Sequence, residues 1–265
     1  MNNLLAYLPY CGTPPVPAEL ASRWNIDFTL IGIIVALAAW HALRIGIFDY
    51  GAARLRRASF LTGWSVLALS LISPLCALSV ALFSARVTQH MVLAVVAAPL
   101  IALAGARFND SGRSGPDHGR SAFRAAGLFA VLLWAWHSPE LYASTFASDA
   151  MYWTMHATIV GSAILLWHML LNGSRENALS RVGAGFITLL QMGLLGALIT
   201  FAPGALYSPH LLTTRAWNLT ALEDQQLGGL IMWIPTSAIF LIAALLTMYS
   251  VLRDGAVAHV GRADV

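Results

Sequence analysis

Three of the eight histidines, His90, His137 and His156, fall in or at the ends of three separate long apolar runs. An ionisable side chain at membrane depth finds neither water nor counter-charge, so its presence marks a functional site. Neutral imidazole is the commonest protein metal ligand, which makes metal binding the first chemistry to consider. Met91, Met151 and Met155 flank these histidines, and Met232 lies in the outer part of the last run. Imidazole with thioether favours Cu(I), whereas carboxylates and carbonyls suit Mg²⁺ or Ca²⁺. Glu140, Asp149 and Glu223 are candidate acceptors that would fix an imidazole tautomer, and Asp149 is also a candidate direct ligand. His210, in the outer loop between the last two runs, is placed to reach the trio from above.

These readings depend on the runs being membrane spans. The chain is 58% hydrophobic and 10% charged. Seven stretches, near 28–48, 60–83, 87–105, 121–137, 150–171, 182–202 and 226–250, are each about long enough as helices to cross a hydrocarbon core of roughly 30 Å. The expected fold is therefore all-α, a single seven-helix transmembrane bundle over 28–251 with an outer tail (1–27) and a cytoplasmic tail (252–265). All 15 basic residues are arginine. Twelve lie at one set of loops and span ends, and three (Arg23, Arg86, Arg215) at the other. The positive-inside rule then puts the N-terminus outside and the C-terminus in the cytoplasm. Basic residues scattered over short loops are a topology signal and argue against a nucleic-acid partner; the partner they imply is the lipid bilayer.

Counted from the outer end of each span, His90 lies about 6 Å deep and His156 about 9 Å, with His137 slightly above them at the end of Trp134-Ala135-Trp136-His137. Three imidazoles from three helices thus share one layer. The plainer reading is a hydrogen bond across a helix interface, worth about 0.6–2 kcal/mol. Methionine in so apolar a chain is mostly packing, and Met91 points about a quarter-turn away from His90.

His41 and His168 belong to the cytoplasmic halves of their spans. Twelve residues, or about 18 Å, separate His156 from His168, too far for one metal. The inner pair could bracket a haem, so a haem-binding electron carrier is one alternative. A metal or small-solute transporter is another, with Gln191 at mid-span as the hint of a polar route. An enzyme is disfavoured by the lack of a Ser-His-Asp set, a phosphate loop or an HExxH motif. Cys11 and Cys76 allow one disulfide at most and form no CxxC pair; a thiolate lent to a metal is the other use open to them. The segment 106–120 has flexible-linker composition, and the first 27 residues lack a signal-peptide pattern.

Thr220 and Glu223 fit a capping box opening the last helix, Gly228 and Gly229 allow close helix approach, and Pro235 allows a kink. Gln225 and Gln226 stand at the membrane edge and suggest an entrance that stays polar.

Glu223-Asp224-Gln225-Gln226-Leu227-Gly228-Gly229 with Met232-Trp233-Ile234-Pro235, Gln89-His90-Met91, Ala98-Pro99-Leu100, Trp136-His137-Ser138-Pro139-Glu140-Leu141-Tyr142 and Thr200-Phe201-Ala202-Pro203 together resemble the CtaG family of cytochrome c oxidase assembly factors. The resemblance runs from Asp27 to about Arg253. It implies a seven-span protein of the bacterial plasma membrane that helps mature a haem-copper oxidase by handling copper. An oxidase subunit would receive the metal, and a soluble outer donor could supply it. It also assigns His90, His137 and His156 as the metal residues; the residues expected to tune them are Arg86, Met155, Asp149, Glu140, Glu223 and His210. Arg86 departs from the family pattern, which often has a second histidine one turn before Gln-His-Met; arginine is a poor ligand and repels a cation.

Overall fold

A computed structural model describes residues 8–48, 54–105, 116–172 and 177–263, and every regular element among them is helical. Most of the expected linker, with Arg107 and Arg113, lies outside these residues, as does Arg175. The helices are α1 (Phe28–Ile45), α2 (Arg54–Ile72), α3 (Leu75–Ala81), α4 (Phe83–Val92), α5 (Ala98–Ala104), α6 (Pro116–Trp136), α7 (Pro139–Ala147), α8 (Asp149–Leu171), α9 (Ala178–Thr200) and α10 (Ala221–Ala263). Leucine, isoleucine, valine and tryptophan side chains cover the outward faces, among them Ile33, Val35, Trp40, Leu190 and Leu194, as hydrocarbon requires.

Five helices are long and apolar enough to cross a membrane: α1, the continuous Phe83–Ala104 rod, α8, α9 and the first part of α10. The expected second span is broken. Pro74 cannot continue the hydrogen-bond ladder of α2, and α3 leaves at 47°. Counted as one, this pair makes a sixth candidate. The expected fourth span corresponds to α6, 21 residues long, packed against α8 and α9. The last helix runs on to Ala263, so the expected tail continues it.

The Phe83–Ala104 rod lies at the centre: 67% of its membrane window is buried inside the protein, against 11% for α1. Leu82, in extended conformation, separates it from α3. A helix starting inside the protein leaves its first N–H groups without water, and Leu82 has no side chain to cap them. Asp224 of α10 does so instead, accepting from Phe83 N (2.6 Å), Ser84 N (3.2 Å) and Ser84 Oγ (2.5 Å). Between α4 and α5, Leu93–Ala97 widens into a π turn, and the Trp167 indole donates to Ala94 O at 2.8 Å. Such turns release a carbonyl from the ladder and occur often beside functional positions.

The tail before α1 folds onto the same end of the bundle. Cys11 and Cys76 form a disulfide with Cα atoms 5.5 Å apart, which ends their candidacy as thiolate ligands. Asn25 N donates to Ile72 O and Trp217 Nε1 to Pro15 O. Asp27 caps α1 through Thr29 N and Leu30 N and accepts the Tyr10 hydroxyl, contacts that hold its carboxyl below the usual range.

Candidate metal centre

His90 comes from the central rod, His137 from the end of α6 and His156 from the second turn of α8. All three are buried. The ring centres of His90 and His156 lie 5.2 Å apart and those of His90 and His137 6.2 Å. Two imidazoles on one metal, each nitrogen about 2.0 Å from it, have ring centres roughly 5–5.5 Å apart. The first pair has that spacing and the second is wider. Among the described residues no three His, Cys, Asp or Glu side chains stand close enough in their present rotamers to hold a metal ion.

The hydrogen bonds say more than the spacing. His137 Nδ1 lies 2.7 Å from Leu133 O, and His156 Nδ1 lies 3.0 Å from Tyr152 O. A carbonyl oxygen only accepts, so each Nδ1 carries the proton and each Nε2 keeps its lone pair. Metal-binding histidines are oriented by this arrangement, with the second ring nitrogen donating to a backbone carbonyl. His156 Nε2 has no partner, and in His90 neither ring nitrogen has one. Buried imidazole nitrogens without partners are costly, since each forfeits the bond it made with water. The donor set thus fits a soft or borderline metal in its chemistry and, for His137, needs a rotamer change in its geometry.

The other expected members lie elsewhere. Glu140 and Asp149 are exposed in the first turns of α7 and α8, where acids favour a helix N-terminus. The orienting acceptors are the Leu133 and Tyr152 carbonyls, one turn before each histidine. Glu223 closes the expected capping box with Thr220 at the surface. Met155 is fully buried among Trp136, Tyr152 and Ile159, and the Met91 sulfur accepts from Thr236 Oγ1 at 3.4 Å, so both serve packing. Gln225 is no entrance: it accepts from Leu206 N and donates to Ile199 O and Gly204 O, pinning the turn after α9.

His210 is buried but occupied. Its Nε2 accepts the Tyr142 hydroxyl at 2.6 Å and its Nδ1 faces Ala81 O at 3.3 Å. Burial, then the Arg86 charge, pulls it from 6.5 down to about 3. On the opposite side, His41 Nδ1 accepts the Trp64 indole and His168 Nδ1 pairs with Asn172, so both inner rings are engaged locally. Gln191 accepts the Trp134 indole.

Arg86 lies one turn before His90 and is 1% exposed. Nη1 donates to Thr145 Oγ1 at 2.6 Å, and the guanidinium carbon sits 4.1 Å from the ring centre of Phe146, 5.3 Å from that of Tyr142 and 5.7 Å from that of Tyr152. Tyr152 links three features: its ring lies 4.3 Å from that of His156, and its hydroxyl is 3.3 Å from Cys11 Sγ and 3.6 Å from Cys76 Sγ. Its carbonyl orienting His156 is legible only as an i−4 neighbour, and its ring contacts were not legible at all.

Apolar helices long enough to cross a membrane, packed around a central rod that carries the unpartnered imidazole of His90, define a multi-pass membrane protein. The family described as cytochrome c oxidase caa3 assembly factor (Caa3_CtaG) matches residues 34–108 and 120–254, and the chain belongs to it. No curated relative and no solved structure matches the chain.

Proposed function

We propose that this assembly factor binds copper, as Cu(I), at His90, His137 and His156 and delivers it to a haem-copper oxidase subunit. The observation that carries the reading is His90, a buried imidazole with both nitrogens unpartnered, facing two rings whose Nδ1 atoms donate to backbone carbonyls and whose Nε2 atoms keep their lone pairs. Three neutral imidazoles suit a soft monovalent cation, and three ligands leave a position through which a partner's ligand can enter. The role is carriage without turnover. His137 is the looser ligand, since its ring stands farther from His90, and its movement would open the site.

The proposed setting is a bacterial plasma membrane crossed seven times, with α2–α3 as one bent span and α6 as another. The site faces the outer side. The disulfide at that end suits an oxidising compartment, and the arginine-rich loops belong to the opposite side. A soluble outer donor would then load the site.

The test is copper content by elemental analysis of the purified protein, with the visible spectrum recorded beside it. Copper that co-purifies and is lost in both His90→Ala and His156→Ala supports the reading. Unchanged copper in both variants, or a Soret band in place of copper, overturns it.

A further inference from the structure

Arg86 is a full positive charge inside the bundle. Guanidinium carries five N–H donors and does not lose its proton. Among the described residues one hydroxyl, Thr145 Oγ1, accepts from it, Nε has no partner, and no carboxylate pairs with it. The Thr145 hydroxyl proton is committed to Tyr142 O at 2.7 Å, so its oxygen is free to accept. Asp224, the buried carboxylate of α10, is spent on the start of α4. The rings of Phe146, Tyr142 and Tyr152 answer part of the charge through their faces but offer no lone pair to the remaining N–H groups. A buried cation left this way is strongly unfavourable unless an anion completes it.

The neighbouring geometry supplies the second half of a site. Arg86 and His90 are four residues apart on α4, so they share a face about 6 Å apart along the axis. Both ring nitrogens of His90 are unpartnered, and one N–H of a neutral imidazole is always a donor. Tyr152 bridges the two regions, with its ring against both the Arg86 guanidinium and His156.

We propose that Arg86 and His90 form a binding site for a small monovalent anion, a halide, between the guanidinium and the histidine cluster. Its place beside a metal rests on the copper reading; its existence does not. With Cu(I) on neutral histidines, Arg86 would leave two positive charges in an apolar interior. A halide beside Arg86 would offset one of them. The anion then makes loading and release depend on each other: copper is held while the halide is present and weakened when it leaves.

The probe is chloride. Metal-free protein in detergent and a chloride-free gluconate buffer is titrated with chloride, and binding is read from excess chloride NMR line width. Wild type should broaden saturably, Arg86→Gln should weaken binding at least ~10-fold, and Arg86→Lys should retain most of it. No saturable broadening in wild type, or equal broadening in Arg86→Gln, overturns the proposal. If Arg86→Gln does not fold, His90→Ala decides: chloride binding weakened at least ~10-fold supports the site, and broadening equal to wild type overturns it. Saturable chloride binding with no copper binding would instead retain the anion site and discard the copper reading.

Discussion

His90 and His210 are equally buried, 2% and 1% exposed, and chemically opposite. His210 sits in a loop turn with both nitrogens engaged, by Tyr142 and Ala81, and ties the loop between α9 and α10 to α3 and α7. His90 sits in the most enclosed helix with neither nitrogen engaged. Burial therefore does not set the two apart; unanswered hydrogen-bonding capacity does, and it is what makes His90 the proposed ligand.

The largest effect should come from removing the unanswered ring. His90→Ala should weaken copper binding by about 100-fold or more while leaving thermal stability near wild type, because no protein partner is orphaned. Copper titration and thermal unfolding in detergent check the two halves. Loss of stability with copper retained would reverse the roles assigned to the two histidines.

The scaffold should respond in the opposite way. A Cβ at Gly229 would meet Thr200 Oγ1 and lie 2.7 Å from Gly196 O, backbone that cannot move aside. Gly229→Ala should cost about 1–3 kcal/mol and lower the unfolding temperature. At the start of the central rod, Asp224→Ala should cost about 0.5–2 kcal/mol and also weaken copper binding, since α4 carries His90. If copper affinity is unchanged, the cap stabilises the rod without positioning the site.

The smallest effect is a titration. His210 is held near 3 in the folded protein against 6.5 when unperturbed. The unfolded chain takes up its proton first, so stability from this group is complete above 6.5 and is lost as the pH falls towards 3. His210→Phe should flatten that acid slope by one proton and leave copper per folded molecule unchanged.

Much of this organisation is legible in the sequence because hydrocarbon is a strict solvent. Long apolar runs give the helices, and the shared depth of His90, His137 and His156 anticipates rings that meet. What is not legible depends on contacts between distant segments. Asp224 reads as a helix-start acid of α10, yet it caps α4, 140 residues earlier in the chain. Gln225 reads as a polar doorway and is a staple across a turn, while Glu223 beside it keeps the capping role its spacing suggests. Arg86 reads as a departure at a ligand position; only the packed rings and the single hydroxyl around it reveal a cation in need of a partner.

X-ray absorption of copper-loaded protein tests the central claim most directly. The account predicts a Cu(I) edge and a first shell containing two or three imidazole nitrogens at about 2.0 Å, with one imidazole missing in His156→Ala. A sulfur-dominated shell, or a shell unchanged in that variant, would contradict it.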